Sequence, residues 1–540
     1  MSENPINNKT PLSKIAGFFS SVIVLITFLL TAIAFFGSLV TMNSKATLFA
    51  QKGATLGTPL SVILVIIGAA VLVIIWRWMF KLINNASQRT IRLLSCGLLA
   101  IFTAVCAIMC IFLRVNPFTD SETIQDMALQ MAKDDTLHID TTQAYFQNYS
   151  NNDLLTILLS LFFRFLMLIG VSDYAQACIW LNAACIVTGE LFAFFGVKSL
   201  IGEKGACRYL ILSVMQPVMY LTVCWSYSNT MCLPFMCGLF LIAARAMHTK
   251  STVSRCILGA AFGAVAAVGY FIRPVVMIEA IAFAISALLY VCGKKGRLKQ
   301  LAACITAAVV MISATTLGMQ KFVNEYGGDN SRNYPLTHWL MMGLHEHGRF
   351  SRDDSSFTRR YKTKEEKKQA NIAEIKKSLK RIGVLGIPVH AVTKHCITWS
   401  EGSANYYLRA KHIDKENQNA LAQLIIGKNR SYVMLYCQIY RAAMLFLASA
   451  GMLMMLRKKR MSLLFPAVLT VLGGMIFYLF WEAKESYSIP FLFLLVMTAS
   501  LAADRLRLPR RKSRQAVNSD IVTAEPAEIA SVSDAESASE

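Results

Sequence analysis

Cysteine is almost absent from the long polar segments of this sequence. The chain has 14 cysteines, most of them inside apolar runs, as Cys106, Cys110 and Cys178 are, and Cys396 is the exception. A disulfide framework or a zinc site would need cysteines at loop spacings. The sequence therefore predicts neither.

Acidic residues are also few. The 32 Asp and Glu stand against 54 Lys and Arg, which gives a net charge of +22. Such an excess is common in nucleic-acid-binding proteins, but here the basic residues lie mainly beside apolar runs, where they orient membrane helices and contact anionic lipid headgroups. We therefore predict the lipid bilayer as a partner and no nucleic acid.

No small-residue cleavage pattern follows the first apolar run, 15–40, which is too long for a signal-peptide core. We expect it to remain as an anchor. Hydrophobic residues make up 55% of the chain, and runs of about 18 to 25 nearly uncharged residues recur, the length needed to cross a bilayer. The predicted fold class is an all-α polytopic membrane protein.

About twelve of these runs have the length of a membrane span. They cover approximately residues 15–41, 59–76, 93–113, 175–197, 208–224, 230–247, 256–272, 274–292, 300–319, 433–456, 462–481 and 487–504. A thirteenth run, 154–170, carries Arg164 at its centre, which would cost roughly 2.5 to 3.5 kcal/mol in a span. We expect that run to lie on the outer surface.

With run 154–170 outside the membrane, the basic groups between spans all fall on one side, which the positive-inside rule makes cytoplasmic. These groups occupy 77–92, 198–208, 245–255, 294–299, 457–460 and 505–514. The sequence thus predicts a multi-pass cell-membrane protein with both termini cytoplasmic and two large extracytoplasmic loops that contain interfacial helices.

This topology divides the chain into consecutive parts. They are an N-terminal end with two added transmembrane helices (1–92), a transmembrane core (93–319) with the first outer loop (114–174), the second outer loop (320–431), the C-terminal transmembrane helices (432–504) and a cytoplasmic tail (505–540). The end of the tail is acidic and rich in Ser, Ala and Glu, a composition that predicts disorder.

The first outer loop predicts a surface helix that begins with two acids. Thr119 and Glu122 have the spacing of a capping box, and an apolar stripe of helical periodicity follows, typical of a helix in the interface plane. The stripe consists of Ile124, Met127, Ala128 and Met131. Asp120 and Glu122 either complement the helix dipole or act as catalytic carboxylates. Asp120, which the box does not use, is the better candidate base.

Two more polar segments lie in the outer loops. Residues 145–152 combine aromatic side chains with amides, which indicates either an aromatic belt or the wall of a cavity that opens to lipid and water. In the second loop, 359–381 is basic with apolar residues along one side, which predicts an amphipathic surface helix. It would adhere to lipid headgroups or attract an anionic acceptor.

Histidines and acids also stand close together in the second loop. They are His338, His345, His347, Asp353 and Asp354. Histidines at short spacing can ligate a divalent cation, and they can equally hydrogen-bond within a loop. A divalent cation is therefore a possible cofactor, with no certain cofactor and no metal ligand assigned.

A set of short motifs is spread over residues 93–487. They are Pro117-Phe118-Thr119-Asp120-Ser121, Tyr149-Ser150-Asn151-Asn152, Tyr227-Ser228-Asn229-Thr230 with Leu233-Pro234-Phe235, Ile272-Arg273-Pro274, the block 335–344, and Trp481-Glu482-Ala483-Lys484. In order and spacing the set resembles the bacterial integral-membrane glycosyltransferases of the GT-C class, related to protein O-mannosyltransferases and aminoarabinose transferases. Ser150, Asn229, Arg273 and Ser486 replace the usual Pro, Asp, Lys and Arg of that class.

The resemblance implies a GT-C-like fold, a polyprenyl-phosphate sugar donor that enters from the bilayer and an acceptor that arrives from outside. It also implies an Asp in the first outer loop that removes the acceptor's proton. That residue is Asp120 here, with Glu122 as the second catalytic candidate. The candidate substrate-binding residues are Asn151, Asn152, Asn229, Arg273, His338, Glu482 and Lys484.

The chemistry of sugar transfer from a lipid phosphate agrees with this assignment. It needs a base for the acceptor hydroxyl, cations for the departing phosphate and an apolar path for the prenyl chain. Arg273 and Lys484 would lie on the same outer face as Asp120, and the arginine fork can bind two phosphate oxygens. Both cations would equally suit snorkelling at helix ends. We predict a membrane glycosyltransferase, hexosyltransferase-like, that acts on a cell-envelope glycan or protein and that inverts the anomeric configuration if Asp120 acts as base in a single displacement.

Two other functions stay open from the sequence. A transporter or flippase for a lipid-linked glycan would share the membrane composition, but such proteins often have repeated halves with midplane charges. Glu190 and Glu279, the main acids inside apolar runs, have no evident repeat relation. The other alternative is a catalytically lapsed relative that assists envelope assembly, because Asn229 and Ser486 depart from the expected residues.

Overall fold

The computed structural model describes residues 11–40, 58–292, 298–328, 330–345, 347–413, 419–457 and 462–502. These residues are mainly helical, with one isolated bridge between Val115 and Ile413 among them, so the predicted all-α class is confirmed. The predicted disordered tail and the basic group 505–514 lie outside the described residues, as do 294–297 and 458–460.

Twenty α-helices follow one another along the described chain. They are α1 (Pro11–Val40), α2 (Thr58–Asn85), α3 (Gln88–Phe112), α4 (Asp120–Lys133), α5 (Asp153–Leu168), α6 (Tyr174–Val214), α7 (Pro217–Leu221), α8 (Ser228–Met231), α9 (Leu233–His248), α10 (Thr252–Ile272), α11 (Val276–Cys292), α12 (Leu298–Tyr326), α13 (Leu336–Met342), α14 (Arg352–Arg359), α15 (Lys364–Trp399), α16 (Tyr407–Ala410), α17 (Ala420–Ile425), α18 (Arg430–Arg457), α19 (Phe465–Phe480) and α20 (Leu492–Ala502). Short 3₁₀ helices cover Ser150–Asn152, Asn330–Arg332 and Glu485–Phe491.

Within the described ranges, 10 helical segments are long and apolar enough to cross a membrane. Two further predicted spans, 274–292 and 462–481, correspond to the shorter apolar helices α11 and α19. The chain is therefore a multi-pass membrane protein. α18 and α20 pack together at its centre, and α1 and α2 both pack against α18.

The predicted turn between spans 175–197 and 208–224 lies within α6, but the prediction of one continuous span over 208–224 is wrong. The chain reverses within α6 at Gly202, whose φ of 78° is readily adopted by glycine. As a result Tyr209 donates a hydrogen bond to Glu190 across 2.9 Å, although these residues would lie about 28 Å apart in a straight helix. The second arm ends at Val214, and Pro217 begins a new helix, α7, because proline lacks the amide hydrogen needed to continue the first.

α4 and α5 pack against each other along their length. Ile124 and Ala128 of the predicted stripe are buried against Leu155, Leu159 and Phe163 of α5, so the apolar face of α4 is covered by protein. The Arg164 guanidinium reaches Asp135, just beyond the end of α4, across 2.7 Å. α5 is long and apolar enough to cross a membrane. Its pairing with α4 agrees with the predicted position on the outer surface, and that position stays a prediction.

The structure places two of the predicted basic groups at one end of the bundle. Arg92 and Lys198 both contact the Glu203 carboxylate, at 2.9 Å and 3.3 Å. Lys204 donates to the Asn84 carbonyl across 2.6 Å. The basic groups 77–92 and 198–208 therefore lie at the same end of the helical bundle.

Candidate active site

α4 begins at Asp120, as predicted, but the predicted capping box is wrong. Thr119 is the N-cap residue, but its side chain forms no capping hydrogen bond with the helix, and its φ is 57°. In this left-handed conformation its hydroxyl donates to the Phe118 carbonyl across 2.7 Å instead of accepting from the helix. Such backbone is stable only where surrounding contacts hold it, and it is found often at functional sites. Glu122 is exposed, whereas Asp120 is partly buried.

Asp120 contacts a group of tyrosines from neighbouring elements. The Tyr227 hydroxyl donates to Asp120 Oδ2 across 3.2 Å. The Asn152 amide nitrogen lies 2.7 Å from the Tyr145 hydroxyl and 3.5 Å from the Tyr227 hydroxyl. Burial raises the pKa of Tyr227, with the Asp120 charge acting in the same direction. Asn152 therefore joins the site, while Asn151 is exposed outside it.

Arg409, a cation that the motifs did not indicate, lies over this aromatic group. Its guanidinium is 3.4 Å from the centre of the Trp225 ring, and Trp225 stacks on Tyr227 with a centroid distance of 5.4 Å. Only 9% of Arg409 is exposed. Burial lowers the pKa of Arg409 to about 10, opposed by the nearby Glu485, Tyr487, Tyr227 and Asp120.

The segment before Arg409 is held in an unusual backbone conformation. Ala404 and Asn405 have φ values of 51° and 55°. The buried Glu401 carboxylate accepts from the amides of Ser403 and Asn405 across 2.8 Å and 3.2 Å, and Arg409 donates to the Ala404 and Asn405 carbonyls across 3.2 Å and 3.1 Å. These contacts fix Arg409 against Trp225.

Arg273, one of the predicted phosphate ligands, follows α10 and interacts electrostatically with Tyr227. It donates to the Ser228 hydroxyl across 3.0 Å, and its guanidinium is 5.4 Å from the centre of the Tyr487 ring. The adjacent Asn229 is fully buried. Neither polar atom of the Asn229 side chain has a hydrogen-bond partner in the described structure.

The turn after α19 adds an acid and a third cation. Tyr487 donates to Glu482 across 3.1 Å, and Lys484 Nζ lies 5.8 Å from the Tyr487 ring centre. Burial raises the pKa of Glu482, opposed by Lys484 and Arg273 and reinforced by Asp120. Five predicted residues, Asp120, Asn152, Arg273, Glu482 and Lys484, thus converge around Tyr227 and Tyr487.

His338 lies behind this cluster rather than in it. Its Nδ1 is 2.8 Å from the Thr358 hydroxyl, which donates to Asn371 across 3.0 Å. Burial lowers the pKa of His338 to about 4. The neighbouring Trp339 stacks on Trp481 with a centroid distance of 5.2 Å, so block 335–344 supports the turn that carries Glu482.

The loop histidines do not assemble with one another. His345 Nδ1 binds Asp354, and its Nε2 lies 3.4 Å from Glu374. The hydrogen bond to Asp354 raises the pKa of His345. No group of three or more His, Cys, Asp or Glu side chains in the described ranges could hold a metal ion.

The buried Lys394 joins the second loop to α19. Its Nζ donates to the Gly343 carbonyl across 2.7 Å and to the Leu479 carbonyl across 2.8 Å. Burial lowers the pKa of Lys394 to about 7, opposed by the negative charge of Glu482. Lys394 therefore stabilises the wall of the site from behind.

Comparison with known proteins gives a family and two structures with low similarity. The family model for conserved hypothetical integral membrane proteins matches residues 14–506. The crystal structure of ArnT from Cupriavidus metallidurans bound to undecaprenyl phosphate has a TM-score of 0.32 at 11% identity, over 77% of this chain and 78% of that one. Its apo state has a TM-score of 0.30 at 12% identity, over 75% and 78%. No curated protein matches the chain.

Proposed function

The chain belongs to the family of conserved hypothetical integral membrane proteins, and from its site we propose that it is a membrane glycosyltransferase. It would move a sugar from a polyprenyl-phosphate donor to an extracytoplasmic glycan or protein of the cell envelope. The observation that carries this proposal is the convergence of one partly buried acid, Asp120, with three cations around two tyrosines.

The cations suit a phosphate that stays attached to a membrane lipid. Arg273 lies between the apolar helices α10 and α11, and Lys484 lies between α19 and α20. A phosphate held there would sit at the membrane boundary while its prenyl chain remained among apolar helices. Arg273 and Arg409 would bind phosphate oxygens through charge-assisted hydrogen bonds, which are stronger than those of neutral donors.

Asp120 supplies the base in this mechanism. It accepts the proton of the acceptor hydroxyl as that oxygen attacks the anomeric carbon of the sugar. The bond from that carbon to the phosphate oxygen breaks, and its electron pair leaves with the polyprenyl phosphate. The cations stabilise the negative charge that develops on the phosphate. A single displacement of this kind inverts the anomeric configuration.

The aromatic rings would position the sugar. Trp225 and Tyr227 stack beside Asp120, and such rings combine an apolar face with polar edges that form hydrogen bonds. Asn152 and Glu482 offer further polar contacts from two different elements. The acceptor would approach over the exposed start of α4.

The test is sugar transfer by purified protein in lipid, with a panel of radiolabelled polyprenyl-phosphate sugars and candidate acceptors. Wild type should turn over one of these donors, and Asp120→Asn should be slower by about 10² to 10⁴, the usual contribution of a general base. Asp126→Asn is the matched control, because Asp126 is an exposed acid on the same helix. Movement of intact donor across the bilayer, without sugar release, would indicate a transporter instead.

A further inference from the structure

A second feature of the membrane domain lies far from the candidate active site. A cavity of about 240 Å³ is lined by residues of α9, α10, α11, α12 and the start of α19. Its lining is mainly apolar and includes Leu258, Phe262, Ala287 and Ile305, with Arg255 and Tyr290 among the few polar residues. Arg255, near the start of α10, and Arg273, just after its end, lie eighteen residues apart, about 27 Å along the helix. The cavity therefore belongs to the opposite membrane face.

The walls of this cavity are fixed by close helix packing. A side-chain carbon at Gly259 would lie 2.3 Å from the Cys304 carbonyl oxygen, and one at Gly263 would lie 2.3 Å from the Ala308 carbonyl oxygen. α10 and α12 can approach this closely only through glycine. α12 has far fewer contacts with α11 than with α10, and none of the most apolar stretch of α12 is buried by protein, so a lipid chain could enter on the α11 side.

We propose that this cavity binds one hydrocarbon chain of an anionic phospholipid, whose phosphate pairs with Arg255. Apolar cavities of about 150 Å³ bind benzene, so the present volume suits a segment of an acyl chain. Within the basic group 245–255, which joins α9 to α10, Arg255 lines the cavity, and such basic groups attract anionic headgroups. The lipid would hold α12 to the rest of the bundle, independently of any transferase activity.

The test is photo-crosslinking of the full chain in vesicles of phosphatidylcholine and phosphatidylglycerol. The probe is phosphatidylglycerol with a diazirine in one acyl chain, compared with phosphatidylcholine that carries the same group. Crosslinked peptides identified by mass spectrometry should concentrate in α9 to α12. Even labelling of all lipid-facing helices would overturn the proposal.

Variants separate cavity binding from general lipid contact. Ala287→Phe and Leu301→Trp fill the cavity from two helices and should abolish this labelling, whereas Ile285→Phe, on an exposed face of α11 outside the lining, should retain it. Arg255→Gln should reduce the preference for phosphatidylglycerol about fivefold, while Arg245→Gln should not. Undiminished labelling in either filled variant, or an unchanged preference in Arg255→Gln, would refute the assignment. A monodisperse size-exclusion profile shows that a variant is folded.

Discussion

Replacement of Arg409 gives the most informative single perturbation, because the structure makes it a buried cation of the site. Arg409→Met removes a guanidinium that lies 3.4 Å from the Trp225 ring centre and donates to two backbone carbonyls. Loss of one preorganised charge-stabilising donor typically costs about 2.7 to 4 kcal/mol of transition-state stabilisation. We therefore expect kcat/KM for sugar transfer to fall by about 10² to 10³.

The assay compares initial rates of labelled sugar transfer with the thermal unfolding midpoint of each variant. Arg409→Lys keeps the charge but not the planar fork, so we expect an intermediate loss of about tenfold. Lys411→Met is the matched control, since Lys411 is an exposed cation of the same segment. It should change neither quantity.

Two results would refute this reasoning. A folded Arg409→Met protein with unchanged kcat/KM would remove Arg409 from the site. Equal losses in Arg409→Met and Lys411→Met would show that the effect reflects the overall positive charge of the loop and not the position over Trp225.

Three further predictions concern single side chains. Tyr227→Phe removes the hydrogen bond to Asp120 and should lower kcat about tenfold, the effect of roughly 1 to 1.5 kcal/mol, whereas an unchanged kcat would separate Tyr227 from the chemistry. Burial lowers the pKa of Lys394 to about 7. Between about pH 7 and 10.4 the unfolded chain therefore binds more protons than the folded protein, so the free energy of unfolding should rise with pH there. Lys394→Met should flatten that rise by up to about 1.4 kcal/mol per pH unit, measured by unfolding at several pH values. Gly402→Ala would place a carbon 2.3 Å from the Cys437 carbonyl oxygen and should destabilise by about 1 to 3 kcal/mol, while Gly97→Ala, with open space around it, should not.

The sequence predicted most of the membrane helices because about twenty apolar residues are a strong local signal. It was wrong where the path depended on backbone geometry. The break before Pro217 lies within one apolar stretch, 208–224, and the hydropathy pattern does not distinguish a broken helix from a straight one. The capping box failed for a related reason, since the left-handed φ of Thr119 is set by its surroundings.

The candidate site was partly predictable because its motifs flank helix ends. Asp120, Arg273 and Lys484 each adjoin an apolar run in the sequence. Arg409 carries no such signal, because it lies inside a polar loop and reaches Trp225 only in the folded chain. Arg409 donates to Ser486 across 3.5 Å, and Ser486 is where the resemblance leads one to expect an arginine.

Removal of the acceptor's proton by Asp120 is tested by a single-turnover comparison of wild type with Asp120→Asn. At a donor concentration that saturates both proteins, equal donor binding with transfer at least about 10² slower in the variant is the predicted result. Equal transfer rates in the two proteins, or loss of donor binding as the whole effect, would contradict the assignment of Asp120 as the base.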